Sequence, residues 1–224
     1  MGTHVLLDES DVPLLRRHYR EYGIIHRMEV IETEISDVKI VVPDVFRDAR
    51  GYFVETYNVN RYAKAGLTAH FVQDNESRSA RGVLRGLHWQ AGEHAQAKLV
   101  RVIRGAVWDV AVDIRKDSPT FGKSVSCELT SENCRQFFIP RGFAHGFVVL
   151  EDDTLFCYKC DNFYCKESER GMKFDDPDLA INWPWPGRDY MLSEKDTKHP
   201  FLKDIEPWAC ENNLDKQLNT KKKE

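Results

Sequence analysis

The side chains best suited to chemistry lie in five short segments of the sequence. Histidine, lysine, tyrosine and aspartate transfer protons in active sites, and arginine binds anions. The densest polar stretch is FVQDNESRSARGVLRGLHWQ, residues 71–90. The other segments are AQAKLVRVIRG, IPRGFAHGF, LFCYKC and SEKD, which contain Lys98, His145, Tyr158 and Asp196. Because each of these residues alone has an ordinary structural explanation, only their combination argues for a functional site.

Two of the polar residues, Arg85 and His88, belong to a segment with the pattern of a β-strand, VLRGLHW. Strict alternation of side chains along a strand places these two on opposite faces. They share a face only if a β-bulge at Gly86 re-aims one of them. Lys98 shares the face of its own predicted strand with valines, so it lies either at the open end of that strand or in a polar cavity.

Asp196 has two possible explanations. Ser193 and Asp196 have the spacing of a capping box, which predicts the start of a helix. The residues that follow, TKHPFL, favour a helix poorly because of Pro200. Asp196 is therefore available for another role.

Two spacings of possible ligands bear on metal binding. Metal-dependent jelly rolls commonly have two histidines separated by one residue, but in His88-Trp89-Gln90 a glutamine takes the second place. A triad of His88, His94 and His145 with Glu93 remains an alternative. Cys157 and Cys160 have the spacing of half a zinc site, but residues three apart on a strand point to opposite faces.

The composition sets limits on the class of protein. The chain has 224 residues with a net charge of -4, which gives no reason to expect nucleic-acid binding. No segment reaches the roughly 20 apolar residues that span a membrane. The amino-terminal sequence is too charged for a signal peptide, so a cytoplasmic location is expected. The six cysteines are then expected to be reduced thiols.

Short runs typical of strands fill residues 35–165, separated by Gly, Pro, Asp and Ser turns. The expected strands are 38–42, 52–57, 83–90, 98–103, 106–115, 123–129, 136–139, 145–150 and 154–159, with a helix-like stretch at 58–67. This pattern predicts an all-β fold, an antiparallel sandwich or barrel. Residues 1–27 are expected to be an extension of unassigned role, 28–205 the domain, and 206–224 a tail.

Seven blocks of sequence resemble the dTDP-4-dehydrorhamnose 3,5-epimerase family in order and spacing. They are DARGYFVETYN, FVQDNESRS, VLRGLHWQ, AKLVRVIRG, WDVAVDIRKDSPTFG, FIPRGFAHGF and LFCYKCDNFY, and the resemblance covers about residues 30–200. It implies a cupin jelly roll with a few short peripheral helices. It also implies a homodimer without metal or organic cofactor, and a nucleotide-linked 4-keto-6-deoxyhexose as substrate.

The resemblance also implies roles for individual residues. His88 matches the general base, Asp196 its carboxylate partner, Tyr158 the general acid, and Lys98 the group near the ketone oxygen. The matching substrate-binding positions are Arg50, Glu55, Gln73, Asp74, Asn75, Arg85, His145, Tyr164, Glu169 and Lys195. These residue types suit an enolate intermediate and a diphosphate.

The leading hypothesis is therefore an epimerase that inverts C3 and C5 of dTDP-4-dehydro-6-deoxy-D-glucose. The alternatives are an enzyme that inverts one carbon only, or one that takes another nucleotide sugar. Glu76 stands where many family members have histidine, which bears on nucleotide identity. More distant alternatives are a metal-dependent cupin and a non-catalytic binding protein of the same fold.

Overall fold

In the computed structural model the described residues are 28–185 and 189–209, and they form mainly β-strands. The strands are β1 (Glu29–Glu32), β2 (Lys39–Val42), β3 (Val45–Asp48), β4 (Gly51–Val54), β5 (Gln73–Ser79), β6 (Leu84–Gln90), β7 (Lys98–Arg104), β8 (Ala106–Asp113), β9 (Ser124–Thr130), β10 (Gln136–Ile139), β11 (Phe143–Val149), β12 (Thr154–Cys160) and β13 (Glu169–Gly171). Helix α1 is Val59–Lys64, and short 3₁₀ helices occur at Gly92–His94, Lys166–Ser168, Asp196–Lys198 and Leu202–Asp204. The predicted all-β class is confirmed.

Two antiparallel sheets face each other. Sheet I has the strand order β1-β2-β10-β7-β12-β5, and sheet II has the order β13-β6-β11-β8-β9. Strands β3 and β4 form a separate two-stranded hairpin. Neighbours in the sheets are mostly distant in sequence, as in a jelly roll, where the chain crosses repeatedly between two sheets.

An apolar core fills most of the space between the sheets. Phe147 on β11 stacks on Phe156 of β12 across this space, with ring centroids 4.0 Å apart. Strand β8 shows the alternation expected from its sequence: Val107 and Ala111 face this core, whereas Val110 and Val112 pack in a second core on the outer face of sheet II.

The strand predictions are confirmed within one to three residues, but β1, β3, β5 and β13 were not predicted, and β5 is the longest of these four. Its sequence QDNESRS is polar throughout and contains none of the β-branched runs that indicate a strand. It lies at the edge of sheet I and pairs only with β12. An edge strand needs fewer apolar side chains than a central one, which explains why its sequence reads as a loop.

The predicted extension 1–27 and most of the predicted tail lie outside the described residues. The described part of that tail packs on the body, because Trp208 donates from its backbone to Ile114 (2.8 Å) and accepts from Lys116 (2.7 Å). Among the described helices, none has the length and apolar character needed to cross a membrane. All five cysteines in the described ranges are free thiols.

Asp113 fixes the turn that follows β8. Its buried carboxylate accepts hydrogen bonds from Arg115 (2.7 and 3.0 Å), Ser118 Oγ (2.6 Å) and Thr120 Oγ1 (2.6 Å). Burial raises the pKa of Asp113, but these bonds outweigh burial and leave the pKa below its ordinary value. We expect Asp113→Asn to lower the free energy of unfolding by about 3 kcal/mol, because a paired buried charge is lost.

Urea unfolding near neutral pH measures this effect, and Asp117→Asn, an exposed change in the same turn, is the matched control. Since the folded pKa of Asp113 is depressed, its contribution is present above the unfolded pKa and disappears as the pH falls through the folded pKa. The difference between the native chain and Asp113→Asn should therefore shrink in acid. Equal stability of the Asp113 and Asp117 variants would refute the assignment.

Candidate active site

A β-bulge in β6 brings Arg85 and His88 to the same face. Arg85 lies opposite Phe147 of β11 and His88 opposite His145, so two residues of β6 oppose one residue between them. Directly opposed residues share a face, and His145 and Phe147 are two apart on their strand. Both β6 side chains therefore point between the sheets, as the bulge alternative predicted. A Cβ on Gly86 would lie 2.5 Å from the Gly146 backbone, so only glycine fits there.

His88 and Asp196 form a hydrogen-bonded pair at this face. His88 Nε2 lies 2.5 Å from Asp196 Oδ1, and the Asp196 side chain is only 4% exposed. Burial alone raises the pKa of Asp196, but the hydrogen bond and charge of His88 outweigh burial and lower it. The carboxylate is thus ionised and oriented toward the imidazole at neutral pH.

The capping spacing of Ser193 and Asp196 is also realised in the turn that holds Asp196. Ser193 Oγ accepts a hydrogen bond from the Asp196 backbone N–H (3.2 Å), and Asp196 begins a single 3₁₀ turn that ends at Lys198. The Asp196 side chain is not used as a cap. The backbone turn and the carboxylate pair with His88 therefore coexist.

Lys98 and Tyr158 approach from the opposite sheet. Lys98 lies opposite Cys160 and Tyr158 opposite the buried Val100, which places both side chains on the inner face of sheet I. Burial lowers the pKa of Lys98, while nearby Cys160, Asp109 and Glu169 act in the other direction. Lys98 is the first residue of β7 and has the carboxylates of Asp109 and Glu169 near it, so the structure combines the two alternatives, a strand end and a polar environment.

Tyr158 keeps its proton at neutral pH. Burial raises the pKa of its phenol, and the charge of Arg85 across the space between the sheets acts in the opposite direction. Its ring lies 6.0 Å from that of Phe156, at the end of the apolar core. A protonated phenol therefore faces the inner side of sheet II, where His88 lies.

His145 forms a second buried pair, with Asp109 of β8. Its Nε2 lies 3.0 and 3.1 Å from the two carboxylate oxygens, and the side chains are 7% and 0% exposed. Burial lowers the pKa of His145 and raises that of Asp109. Sequence reasoning missed Asp109, although an aspartate on the inward face of the apolar run VWDVAVD is a signal that a buried partner exists.

Five polar side chains, from β5, β13 and the loops beside them, form a rim at the ends of the two sheets. Glu169 on β13 forms an ion pair with Lys195 and accepts a hydrogen bond from Tyr164 Oη (3.0 Å). Gln73 accepts from the Tyr164 backbone (3.0 Å) and donates to Asn75 (3.1 Å), and both amides share the inner face of sheet I with Tyr158 and Lys98. These five predicted binding residues therefore lie around one opening.

Three predicted binding residues lie elsewhere in the described chain. Asp74 occupies the outer face of sheet I, where it forms an ion pair with Lys159 (2.9 Å). Arg50 is paired with Asp48 in the turn of the β3–β4 hairpin, and Glu55, which follows that hairpin, pairs with Arg61 of α1. Glu76, the departure from the family pattern, also faces outward and accepts a bond from the Cys157 thiol at 3.4 Å.

The metal triad considered from the sequence does not form. His94 ends a 3₁₀ helix beside Glu93, while Nε2 of His145 is hydrogen-bonded to Asp109. The group whose ligand atoms do converge, within 4.8 Å of one another, is His88, Asp196 and His199. Sequence reasoning missed His199, because TKHPFL carries no recognisable pattern of spacing.

Two facing antiparallel sheets thus bring a histidine–aspartate pair, a tyrosine and a lysine to the inner faces of a jelly roll, the arrangement of a cupin fold with acid–base groups. A family model described as dTDP-4-dehydrorhamnose 3,5-epimerase matches residues 32–204. The chain belongs to that family, as the sequence blocks predicted.

Individual relatives agree. The dTDP-4-dehydrorhamnose 3,5-epimerase of Shigella flexneri is 55% identical over 170 residues, 75% of this chain and 93% of that protein. The solved structure of the Elizabethkingia anophelis enzyme is 57% identical, with a TM-score of 0.76 over 80% of this chain and 98% of that one. The Legionella pneumophila enzyme, solved with dTDP-4-keto-L-rhamnose, is 50% identical, with a TM-score of 0.77 over 80% and 95%.

Proposed function

We propose that this chain inverts C3 and C5 of dTDP-4-dehydro-6-deoxy-D-glucose to give dTDP-4-dehydro-L-rhamnose, a step of dTDP-rhamnose and polysaccharide biosynthesis. The observation that carries the proposal is the His88–Asp196 pair, 2.5 Å apart, facing Tyr158 and Lys98 across the space between the sheets. The double inversion is also the activity named for the relatives that match most of the chain. It is favoured over the single-carbon alternative on that ground.

The chemistry starts at the ketone. The C4 carbonyl acidifies the hydrogens on C3 and C5, so a weak base can remove them. His88 Nε2 is bound to Asp196, which leaves the lone pair of Nδ1 to accept the carbon-bound proton. The ionised Asp196 then stabilises the imidazolium that forms.

The negative charge moves to the ketone oxygen, where Lys98 acts. Its ammonium is held in a buried position that lowers its pKa, and a lower pKa makes it a stronger hydrogen-bond donor to the enolate. Inversion then requires a proton from the other side of the sugar ring. Tyr158 is protonated, as its raised pKa requires, and lies on the sheet opposite His88.

The rim residues suit the nucleotide. Arg85 donates to Ser79 Oγ (3.1 and 3.3 Å) and keeps its guanidinium on the inner face, where its planar fork can pair with diphosphate oxygens. Tyr164 is 53% exposed and offers a ring for stacking, and Gln73 and Asn75 offer amide groups for a base or ribose. Glu169 and Lys195 close the same rim.

A homodimer completes this proposal. The β3–β4 hairpin carries exposed aromatic side chains, Tyr52 (51%) and Phe53 (67%), next to Arg50. Exposed aromatics on a projecting hairpin suit burial against a second copy. Arg50 and Glu55 would then serve the partner's rim instead of the chain's own.

Asp196→Asn is expected to reduce turnover about 10²-fold, because the amide favours the wrong tautomer of His88 while leaving the base itself in place. Steady-state turnover of dTDP-4-dehydro-6-deoxy-D-glucose measures the loss. The matched control is Asp204→Asn, an exposed aspartate in the next 3₁₀ helix. A folded Asp196→Asn protein with native turnover would limit Asp196 to a role in its turn.

Nucleotide preference tests the substrate assignment. The dTDP-linked sugar and its UDP-, GDP- and CDP-linked analogues are compared by proton NMR of the products. We expect conversion of the dTDP compound to the doubly inverted product. Preference for another nucleotide would correct the substrate but keep the mechanism, and a product inverted at one carbon would support the single-site alternative.

A further inference from the structure

A second histidine shares the carboxylate of the proposed catalytic pair. His199 Nε2 lies 3.4 Å from Asp196 Oδ1, and its ring meets that of His88 edge to face, with centroids 5.4 Å apart. The His199 side chain is 12% exposed, and its Nε2 makes no hydrogen bond within the described residues. A buried imidazole nitrogen aimed at a carboxylate without a hydrogen bond is an unused ligand atom.

From this arrangement we infer that His88, Asp196 and His199 form a binding site for Zn²⁺, and that zinc bound there inhibits the enzyme. The three ligand atoms lie within 4.8 Å of one another. Donors about 2.1 Å from a tetrahedral zinc ion are about 3.4 Å apart. The Asp196–His199 distance already has this value, and the 2.5 Å His88–Asp196 contact must open by about 1 Å.

His199 is held in place by its surroundings. Its ring lies directly on Gly171, where an added Cβ would come within 2.4 Å of the ring. Gly171 itself pairs with His88 in the β13–β6 ladder, so both imidazoles are positioned by the same pair of strands. The next residue, Pro200, accepts a hydrogen bond from the Lys173 backbone at 2.8 Å. His199 held in this way loses little freedom when an ion binds.

The charge state also suits zinc. Asp196 supplies a negative charge, and Glu169, which could add another, is paired with Lys195. The His88 side chain is 27% exposed, which leaves an approach for the ion and a water ligand.

Inhibition follows from the tautomer of His88. Zinc on Nε2 displaces the proton shared with Asp196, and a neutral imidazole coordinated through Nε2 carries its one proton on Nδ1. Nδ1 then has no lone pair for the carbon-bound proton. Zinc binding itself does not depend on the proposed reaction, so it can be tested without a substrate.

The experiment measures binding of Zn²⁺ to the full chain by calorimetry, and of Co²⁺ by its visible absorption, for the native protein and His199→Phe. Phenylalanine keeps the ring on Gly171 and removes the ligand atom. We expect one tight site, with His199→Phe weakening binding by at least about 100-fold, since even the loss of a residue that only supports a ligand costs 10–100-fold. The matched control, His94→Phe, should bind as the native protein does.

Thiols are the competing site, because the described chain has five free cysteines. Cobalt held by nitrogen and oxygen lacks the sulfur charge-transfer band of a thiolate site, so its spectrum separates the two. No tight binding, equal binding by the native protein and His199→Phe, or a sulfur charge-transfer band would each overturn the inference. His199→Gln is the second variant if His199→Phe fails to fold, and it carries the same expectation. If the proposed reaction is wrong, the binding result stands and only the loss of turnover on adding zinc is absent.

Discussion

His88→Ala should abolish both the exchange of substrate protons with solvent and the formation of product, with turnover reduced about 10⁴-fold. The proposed mechanism assigns removal of the carbon-bound proton to His88, through the lone pair of Nδ1 that its contact with Asp196 leaves available. Without it no enolate forms, so Lys98 and Tyr158 have no intermediate on which to act. Solvent exchange followed by NMR and product formation measured in parallel check both effects.

His94→Ala is the matched control for this change. His94 lies on the same segment but ends the Gly92–His94 3₁₀ helix beside Glu93, away from the carboxylate of Asp196. It should keep native turnover. Substantial exchange in a folded His88→Ala protein would show that another residue removes the proton.

Tyr158→Phe should reduce product formation about 10³-fold, within the range of general acid–base groups, while leaving exchange at the first carbon detectable. His88 and Asp196 are intact in this variant, so a proton can still be removed and returned on the same side. What is lost is the donor on the other sheet. The ratio of exchange to product therefore separates Tyr158 from His88 more sharply than either rate alone.

The matched control is Tyr190→Phe, a hydroxyl removed from a partly buried tyrosine of the second core on the outer face of sheet II. Its exchange-to-product ratio should equal that of the native protein. If Tyr158→Phe and His88→Ala showed the same residual exchange and the same residual turnover, the division of labour between the two sheets would be wrong.

The strands that carry catalytic candidates could be predicted because they bury apolar residues on at least one face. Strands β6, β7, β8 and β12 are rich in apolar residues, and turn residues lie between them. Strand β5 could not be predicted in this way, since its inner face carries the amides Gln73 and Asn75. The polar side chains of β5 belong to the rim of the site, and the segment is a strand although its polarity is typical of a loop.

The relative positions of the site residues depend on contacts that no local pattern encodes. Arg85 and His88 share a face because of the bulge opposite Gly146, which the sequence offered only as an alternative. Asp196 reaches His88 across 108 residues of chain, and His199 joins them through the packing of Gly171. Motif resemblance supplied the residue types, and the tertiary structure supplied their distances.

The outward positions of Asp74 and Glu76 show the limit of transferring a motif as a block. Within QDNES, alternation places Gln73 and Asn75 inward and the two carboxylates outward. Glu76, which raised the question of nucleotide identity, therefore faces away from the site in this chain, beside Cys157. Only two of the four positions contribute to the rim.

Proton NMR of dTDP-4-dehydro-6-deoxy-D-glucose incubated with the enzyme in deuterated water tests the central claim most directly. The account predicts that the signals of both H3 and H5 disappear as deuterium replaces them, because His88 and Tyr158 act at both carbons next to the ketone. Loss of one signal alone would contradict the double inversion. Retention of both, with this and the UDP-, GDP- and CDP-linked substrates, would contradict the proposed proton transfer itself.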